Sequence, residues 1–342
     1  MSYWQLTYKM KFNLAIELGG VNTLIFRKDQ GLVLKEPSLV CASCVGDQYE
    51  IKAFGYDAEK LQGKTNDTTY IFSPISGGEV KSVDYATEML KDYLGKIKLR
   101  KFPKENAIFL VPAGVSDETK EDLKKVGKLC GLGKVEIVPS VVFSAYASNL
   151  PMGVGKTIMM VHMGGSLTDI ATINMNSIIK GSSVELGGRF LDIELAESIS
   201  KKHKIEISVA SAKKIKEEIS TFIEGDSRTS HIVGIDDNSG KPKKVTISSD
   251  EIFPILNNFI NELIVAIETT INLCSPDVSK DITTDGIFVT GGLTKIPGLE
   301  KFMESKLQIK VNIINDGELA PIMMAGKMLS DTLLIQEIIE NF

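Results

Sequence analysis

The chain has 342 residues, a formal net charge of −5, 43% hydrophobic residues and 24% charged residues. This length exceeds what one ordinary core needs, so it predicts two domains, and the composition is that of a soluble globular protein. The negative charge argues against nucleic acid as the main partner.

Cysteines and histidines show no spacing typical of a metal cluster. Of the four cysteines, only Cys41 and Cys44 have the spacing of half a zinc site, and no second pair accompanies them. A reduced cytoplasmic interior is therefore favoured over zinc binding. No run reaches the roughly 18 apolar residues of a transmembrane helix, and residues 1–12 lack the apolar core of a signal peptide. We expect a cytoplasmic protein.

The first half alternates between predicted strands and helices. Residues 1–12 are aromatic and mildly basic, which fits either an interfacial anchor or a leading strand. Apolar periodicity predicts consecutive strands over 14–55, an amphipathic helix over 84–98, a buried strand at 107–112 and a helix over 116–133. Ser116 or Asp117 marks the start of the last helix. This alternation indicates an α/β domain.

The second half continues the alternation. Helices are predicted over 186–203, 208–222 and 250–274, and the polar stretch 236–244 is a hairpin turn or a mobile loop. Lys213 and Lys216 fall on one face of the second of these helices, which is typical of a solvated basic face.

A glycine hairpin lies at the middle of the chain. Residues 158–170, IMMVHMGGSLTDI, read as a strand, a tight turn at Gly164 and Gly165, and a second strand. Such a turn either reverses the chain only or lets backbone N–H groups approach an anion. Residues 150–157, LPMGVGKT, look like the end of a P-loop, but the strand follows the Lys-Thr pair instead of preceding it. We therefore expect a linking loop there.

Two further segments repeat the hairpin pattern. LAIELGGVNTLIF (14–26) matches it with Glu17 at the position of His162 and Thr23 at that of Thr168. GIFVTGGLT (286–294) gives a third apolar strand that ends in two glycines, this time before a helix. Two similar hairpins suggest two similar domains that clamp a triphosphate between their turns.

These features resemble the actin, Hsp70 and sugar-kinase superfamily, and within it the bacterial actin MreB family. The family's motifs are similar to IDLGTANTLIY, VPVG, IEEP, DIGGGTTE, ERIKHEIG and LTGGGA. The matching segments here are IELGGVNTLIF (16–26), VPAG (111–114), VPSV (138–141), HMGGSLTD (162–169), KKIKEEIS (213–220) and VTGGLT (289–294).

The resemblance implies an actin-like (ribonuclease H-like) α/β fold with an interdomain nucleotide cleft. We expect domain I at 1–149, with the C-terminal segment 320–342 packed on it, and domain II at 150–319. Inserted subdomains are expected at 33–73 and 182–243.

The resemblance also implies that ATP or GTP binds with Mg²⁺. Expected phosphate contacts are Gly19, Gly20, Val21 and Asn22 on one side and Gly164, Gly165 and Ser166 on the other. The adenosine side is expected to include Lys213, Lys216, Gly291, Gly292, Leu293 and Thr294. Glu17 would hold Mg²⁺ through water, at a position where the family has aspartate.

Several chemical positions depart from the family pattern. The family's water-activating glutamate and threonine are matched by Ser140, which follows Pro139, and by Leu167. Serine has no carboxylate and leucine makes no hydrogen bond. The family's second aspartate is matched by His162, which removes a hard oxygen ligand. Hydrolysis is therefore expected to be weak or lost, unless Thr168, Asp169 or a neighbouring subunit activates the water.

Three functions remain open. The chain is expected to form filaments for cell shape or motility, and its departures resemble those of MreB copies from wall-less, helical swimming bacteria. The alternatives are a nucleotide-independent scaffold and a small-molecule kinase. Partners would be the chain itself, other MreB paralogues, and the inner membrane face through Leu99, Phe102 or the N-terminus. The basic stretch 96–104 is either that membrane loop or an ordinary solvated loop.

Overall fold

The computed structural model describes residues 11–45, 48–99, 102–148, 155–314 and 317–342. The chain divides into two compact units. Unit 1 comprises Met1–Ala147, Met175–Ser177 and Pro321–Phe342, and unit 2 comprises Ser148–Asn174 and Ile178–Ala320.

The elements are numbered along the chain. The strands are β1 (Leu14–Leu18), β2 (Asn22–Arg27), β3 (Gly31–Pro37), β4 (Val40–Val45), β5 (Gln48–Phe54), β6 (Thr69–Phe72), β7 (Ile75–Ser76), β8 (Glu79–Val80), β9 (Ala107–Val111), β10 (Val135–Pro139), β11 (Ile158–Met163), β12 (Thr168–Asn174), β13 (Ser177–Val184), β14 (Ile205–Glu206), β15 (Thr229–Asp236), β16 (Pro242–Ser248), β17 (Ile287–Gly291) and β18 (Val311–Ile313). The helices are α1 (Gly55–Glu59), α2 (Val83–Lys96), α3 (Asp117–Leu129), α4 (Ser140–Ala147), α5 (Gly188–His203), α6 (Val209–Ile219), α7 (Ser249–Asn272), α8 (Pro276–Asp285), α9 (Leu299–Leu307), α10 (Ala320–Met328) and α11 (Thr332–Ile339), with a 3₁₀ turn at Gly292–Lys295.

The main sheet of unit 1 has the order β10-β9-β1-β2-β3. β1 pairs antiparallel with β2 and parallel with β9, and β9 pairs parallel with β10. Alternate residues of β1, including Leu14 and Ile16, join a core that contains Met89 of α2 and Leu123 of α3. Glu17 therefore points to the opposite face of the sheet.

The main sheet of unit 2 repeats this topology as β13-β12-β11-β17-β18. β11 pairs antiparallel with β12 and parallel with β17, as β1 does with β2 and β9. Met159, Val161 and Met163 of β11 join a core built with α5, α6, α7 and α9. His162 points to the other face, in the same place as Glu17 in unit 1. The internal repeat predicted from the hairpins is thus a repeat of whole sheets.

Each unit also carries a three-stranded sheet. β4, β5 and β6 form one, and β14, β15 and β16 form the other. Their limits differ from the expected inserts, because β3 pairs with β2 in the main sheet and residues 33–37 therefore belong to that sheet. Likewise β13 belongs to the main sheet, and the second small sheet extends to Ser248.

Helix α7 is a core helix of unit 2. Among the described residues it is the one helix long and apolar enough, by length and composition, to cross a membrane. Its apolar residues Ile252, Leu256, Phe259 and Leu263 are all buried in the unit 2 core, which accounts for its hydropathy. Asparagines and glutamates interrupt the apolar sequence, so it contains no continuous apolar run of the kind sought in the sequence.

Candidate functional site

The first glycine turn joins β1 to β2 in unit 1. The Gly19 N–H donates to the Asn22 carbonyl at 3.1 Å, and a β-carbon at position 19 would lie 2.8 Å from that oxygen. The Ser38 N–H donates to the Val21 carbonyl at 2.8 Å, and the buried Thr23 and Ser38 hydroxyls lie 2.8 Å apart. The turn is therefore fixed on both sides, and position 19 tolerates no side chain without a backbone shift.

The second turn, between β11 and β12 in unit 2, has the same construction. The Gly164 N–H donates to the Leu167 carbonyl at 2.9 Å, and a β-carbon at position 164 would lie 2.9 Å from that oxygen. Gly165 is exposed and Ser166 is half-buried. The sequence match between Gly19 and Gly164 therefore corresponds to one turn geometry used twice.

Helix α5 begins directly against the second turn. The Gly188 N–H donates to the Gly164 carbonyl at 3.0 Å, and the Arg189 N–H donates to the Gly165 carbonyl at 2.8 Å. A β-carbon on Gly187 would lie 2.6 Å from the Leu167 nitrogen, so this approach requires glycine. The positive end of the helix dipole consequently lies beside the turn, where it favours an anion.

His162 lies under the second turn. Its side chain is buried, and its Nδ1 atom has no hydrogen-bond partner among the described residues. Its Nε2 atom is 3.6 Å from the place where a β-carbon of residue 164 would be. Burial lowers the pKa of His162 from 6.5 to about 4, so the ring is neutral at physiological pH.

Glu17 occupies the equivalent position in unit 1. It pairs in register with Leu24 of β2 and Leu110 of β9, and Leu110 in turn pairs with Val138 of β10. The half-buried carboxylate thus lies on the sheet face opposite the core, and β9 separates its strand from β10, which leads into α4. An ionised carboxylate offers the oxygen ligands that Mg²⁺ prefers.

The third glycine segment lies at the same sheet edge as the second turn. β11 and β17 are parallel neighbours, with Met163 opposite Gly291, so both strands end together. Gly292 is exposed, Leu293 is buried, and the Thr294 hydroxyl donates to the Gly291 carbonyl at 2.7 Å. Unit 2 therefore brings together two of the three predicted glycine segments.

Lys216 differs from the prediction of a solvated basic face. Its Nζ lies 2.6 Å from Asp192 Oδ1 and donates to the Gly188 carbonyl at 2.9 Å, with only 8% of its side chain exposed. Burial raises the pKa of Asp192, and Lys216 opposes that shift. The lysine therefore braces the start of α5. Lys213 is 45% exposed, and its Nζ atom lies 4.0 Å from the Glu217 carboxylate.

Asp192 was not predicted from the sequence, although the sequence of α6 indicates that Lys216 has an acidic partner. The buried residues of α6 are Ala212, Ile215, Lys216 and Ile219, which is the apolar stripe of an amphipathic helix. A lysine on that stripe is buried and requires an acidic partner.

Comparison with known proteins identifies the family. The family model described as MreB/Mbl protein matches residues 11–337. The chain belongs to the MreB/Mbl family.

Relatives and solved structures agree with this family. The cell shape-determining protein MreB of Escherichia coli K12 is 27% identical over 309 residues, which cover 89% of each chain. The cell shape-determining protein Mbl of Bacillus subtilis is 26% identical over 301 residues, covering 87% of this chain and 90% of the relative.

The solved structures add the fold. The crystal structure of MreB 5 of Spiroplasma citri bound to AMPPNP has a TM-score of 0.88 and 25% identity, covering 96% of this chain and 98% of that one. The MamK double helical filament has a TM-score of 0.78 and 18% identity, covering 93% of this chain and 98% of that one. At this identity the similarity is evidence for the fold only. The predicted family and actin-like α/β fold are confirmed.

In this MreB/Mbl chain, the two positions that match the family's water-activating residues are both buried. Ser140 is the first residue of α4 and 4% exposed, and Leu167 in the second turn is 8% exposed. The alternative water-activating groups have other contacts: Thr168 donates its hydroxyl to the Leu186 carbonyl, and Asp169 accepts from the Ser183 hydroxyl. Glu136, the nearest carboxylate in sequence to Ser140, pairs with Lys134.

The Lys-Thr pair that resembles a P-loop lies before β11. Lys156 pairs with Asp285 at 3.2 Å, and the Thr157 N–H donates to Asp281 at 3.0 Å. Residues 149–154 lie outside the described residues. Both described residues thus tie the start of β11 to α8, which agrees with a linking loop.

The two apolar residues of the predicted membrane loop differ in how far their side chains are exposed. Leu99 packs against the unit 1 core, whereas Phe102 is 81% exposed. The half-buried Leu99 is therefore used at least in part for packing, and Phe102 is the more exposed of the two residues predicted to contact the membrane. Arg100, Lys101 and residues 1–10 of the N-terminal segment 1–12 lie outside the described residues.

Proposed function

We propose that this chain binds ATP or GTP and polymerises into filaments that serve cell shape or motility. The observation that carries the proposal is the repeated turn, in which Gly19 and Gly164 hold the same backbone geometry at the ends of equivalent strands. Structures of the Spiroplasma citri relative contain AMPPNP or ADP, and the MamK structure is a filament. Its relatives in Escherichia coli and Bacillus subtilis are cell shape-determining proteins.

The proposed nucleotide contacts follow the three glycine segments. The phosphates would meet Gly19, Gly20, Val21, Asn22, Gly164, Gly165 and Ser166, and the adenosine side would meet Lys213, Gly291, Gly292, Leu293 and Thr294. The N–H groups of Gly19 and Gly164 close their own turns, so the phosphate contacts would come from the backbone N–H groups that follow them, and such contacts do not depend on side chains. Lys216 would act indirectly, because its ammonium group already holds Asp192 and the Gly188 carbonyl.

Mg²⁺ would be held mainly by the nucleotide. Glu17 fits the role of a hard oxygen ligand, acting through water, whereas the neutral imidazole of His162 does not. The described residues contain no group of three or more acidic, histidine or cysteine side chains that could hold a metal. When bound, the cation would neutralise phosphate charge.

Hydrolysis would be slow. Loss of a positioned base typically lowers the rate by about 10²- to 10⁴-fold. Ser140 supplies no base, Leu167 supplies no hydrogen bond, and Thr168 and Asp169 make other hydrogen bonds. The nucleotide would then act mainly as a bound ligand of the subunit.

Isothermal titration with Mg-ATP and Mg-GTP, together with negative-stain electron microscopy at several salt concentrations, tests the proposal. We expect saturable heat and filaments. Gly164→Ala should weaken binding, since its β-carbon would meet the Leu167 carbonyl. Gly95→Ala is the matched control, because that glycine lies in α2 with open space around it.

The scaffold is the second candidate, and the buried Ser140 and Leu167 favour it. Filaments without heat from either nucleotide would establish the scaffold. Absence of both heat and filaments would contradict the proposal for the chain alone, and adding an MreB paralogue would test whether assembly needs a partner.

We further propose a cytoplasmic location at the inner membrane face, with Phe102 as the contact. The support is its exposed ring next to a basic stretch. Liposome sedimentation, described below, tests this contact.

A further inference from the structure

We infer that His162 donates a hydrogen bond directly to a nucleotide phosphate, so that this chain retains its nucleotide when divalent cations are removed. The inference rests on the proposed nucleotide binding and concerns the side chain under the second glycine turn. It assigns a specificity role to a residue that fits no metal site.

The first support is the position of the ring. His162 is 7% exposed, and its Nδ1 atom faces protein without any described hydrogen-bond partner. The Nε2 atom lies on the side of Gly164, 3.6 Å from the place of a β-carbon there. The polar atom that is free to meet a ligand is therefore the one beside the phosphate turn.

The second support is the position of the proton. A neutral imidazole carries one N–H donor and one acceptor nitrogen. Buried N–H groups without partners are rarer in proteins than buried acceptors without partners. The tautomer with the hydrogen on Nε2 leaves only an acceptor unpaired at Nδ1. It presents an N–H group to the turn, where a phosphate oxygen would accept from it.

The third support is the local charge. A carboxylate beside a triphosphate repels it, and a cation between them relieves that repulsion. The neutral ring of His162 produces no such repulsion. Asp169, its partner in the strand register, accepts a hydrogen bond from Ser183, and its carboxylate is present in the wild type and in every variant of His162, so it does not account for differences between them. The start of α5, beside Gly164 and Gly165, adds positive potential.

Unit 1 lacks this arrangement, because Glu17 stands at the equivalent position. The two turns therefore treat the phosphates differently. The Glu17 carboxylate beside the first turn favours a hydrated cation, whereas the His162 imidazole beside the second turn favours the phosphate itself. Removal of the cation should therefore weaken nucleotide binding only at Glu17, where no cation would then lie between the carboxylate and the phosphates.

The experiment measures ATP affinity by isothermal titration, once with Mg²⁺ and once with EDTA, for the wild type and three variants. For the wild type we expect a loss of affinity in EDTA of less than about tenfold, because only one carboxylate, that of the half-buried Glu17, then faces the phosphates without a cation. His162→Asp should lose more than about tenfold in EDTA and recover with Mg²⁺, because a buried carboxylate then faces the phosphates. Sodium tripolyphosphate should compete with ATP for the wild type in EDTA.

Two further variants separate hydrogen bonding from shape. His162→Gln keeps an N–H donor at similar reach and should retain binding in EDTA. His162→Leu removes the donor and should lose about tenfold under both conditions. Thermal melting of each variant identifies any that fail to fold. If only the aspartate variant fails to fold, the glutamine and leucine variants and the two wild-type titrations decide the question.

The outcomes separate this inference from the proposed function. Wild-type binding with Mg²⁺ that disappears in EDTA overturns the inference and leaves the proposed function intact. No binding under either condition overturns both. Equal binding by the wild type and the leucine variant in EDTA also overturns the inference, because the donor is then irrelevant.

Discussion

Gly291 packs directly against the backbone of Met163 on the neighbouring parallel strand. A β-carbon at position 291 would overlap the Met163 carbonyl group, and the residue has a φ of 107°. Gly291→Ala should therefore destabilise the protein by about 1–3 kcal/mol from backbone strain alone, with steric overlap added. Urea unfolding measures this loss.

Gly292→Ala is the control for that substitution. No atom lies within 4 Å of the place of its β-carbon, so its stability should change by less than about 0.5 kcal/mol. Any loss of nucleotide affinity in this variant would then report close approach of the ligand. Equal unfolding midpoints for both alanine variants would contradict the packing described here.

The buried pair of Lys216 and Asp192 gives a second prediction. Lys216→Met should lower the free energy of unfolding by about 3–5 kcal/mol, because the Asp192 carboxylate would stay buried without its partner. Lys213→Met is the matched control and should have almost no effect, because that side chain is 45% exposed. The double variant Lys216→Met with Asp192→Leu should recover part of the loss. A Lys216 variant as stable as the Lys213 variant would show that the pair is not structural.

The low pKa of His162 predicts an acid-sensitive fold. The imidazole of His162 takes up a proton near pH 6.5 in the unfolded chain, whereas in the folded protein it does so only near pH 4. The His162 contribution is therefore complete above pH 6.5 and is lost as the pH falls to 4. The difference of 2.5 pKa units (6.5 − 4) corresponds to about 3 kcal/mol.

Urea unfolding from pH 7 to pH 4 measures this dependence. His162→Gln should remove it, since glutamine does not titrate. His231→Gln should keep it, because His231 is exposed. Parallel pH profiles for the wild type and the His162 variant would contradict a buried neutral ring.

Phosphate release provides a fourth prediction. The wild type should hydrolyse ATP near background, and Ser140→Glu with Leu167→Thr should raise the rate, because a carboxylate and a hydroxyl are restored together. Ser140 is the first residue of α4, where a negative charge is favourable. The single Ser140→Glu variant should show a smaller gain. A fast wild-type rate that neither substitution changes would disprove the assignment.

Membrane contact is a fifth prediction, and the structure sharpens its test. Phe102→Ser should reduce pelleting with anionic liposomes without affecting the fold, because the ring is 81% exposed. Leu99→Ser should lower stability instead, because Leu99 packs against the core. The same pelleting for the wild type and the Phe102 variant would exclude this loop as the anchor.

Local signals in the sequence were sufficient for most elements. The sequence predicts a helix start at Ser116 or Asp117, and in the structure the Ser116 hydroxyl accepts from the Thr119 N–H at the start of α3. The repeat of Gly19 and Gly164 was visible because each turn depends on residues next to it in sequence. The pairing of Lys216 with Asp192 was missed, because it joins two helices through their packing.

Two further features could not be predicted from the sequence: which residues of the membrane loop are exposed, and where the inserted subdomains begin and end. Leu99 and Phe102 are both large apolar residues, and only the packing of the chain after α2 makes one half-buried and the other exposed. The sequence places residues 33–37 in an expected insert, because a strand pattern does not indicate which neighbouring strand the segment pairs with. Long-range pairing with β2 decides that question.

The exposed ring of Phe102 has a consequence for how the strength of membrane attachment would change with polymer length. One aromatic ring buries about 150–250 Å², which at about 25 cal/mol per Å² corresponds to only a few kcal/mol and to weak, short-lived binding. A row of linked subunits would rebind each loosened ring at high effective concentration. Attachment would then depend on polymer length, so that single subunits diffuse freely while long polymers remain on the membrane.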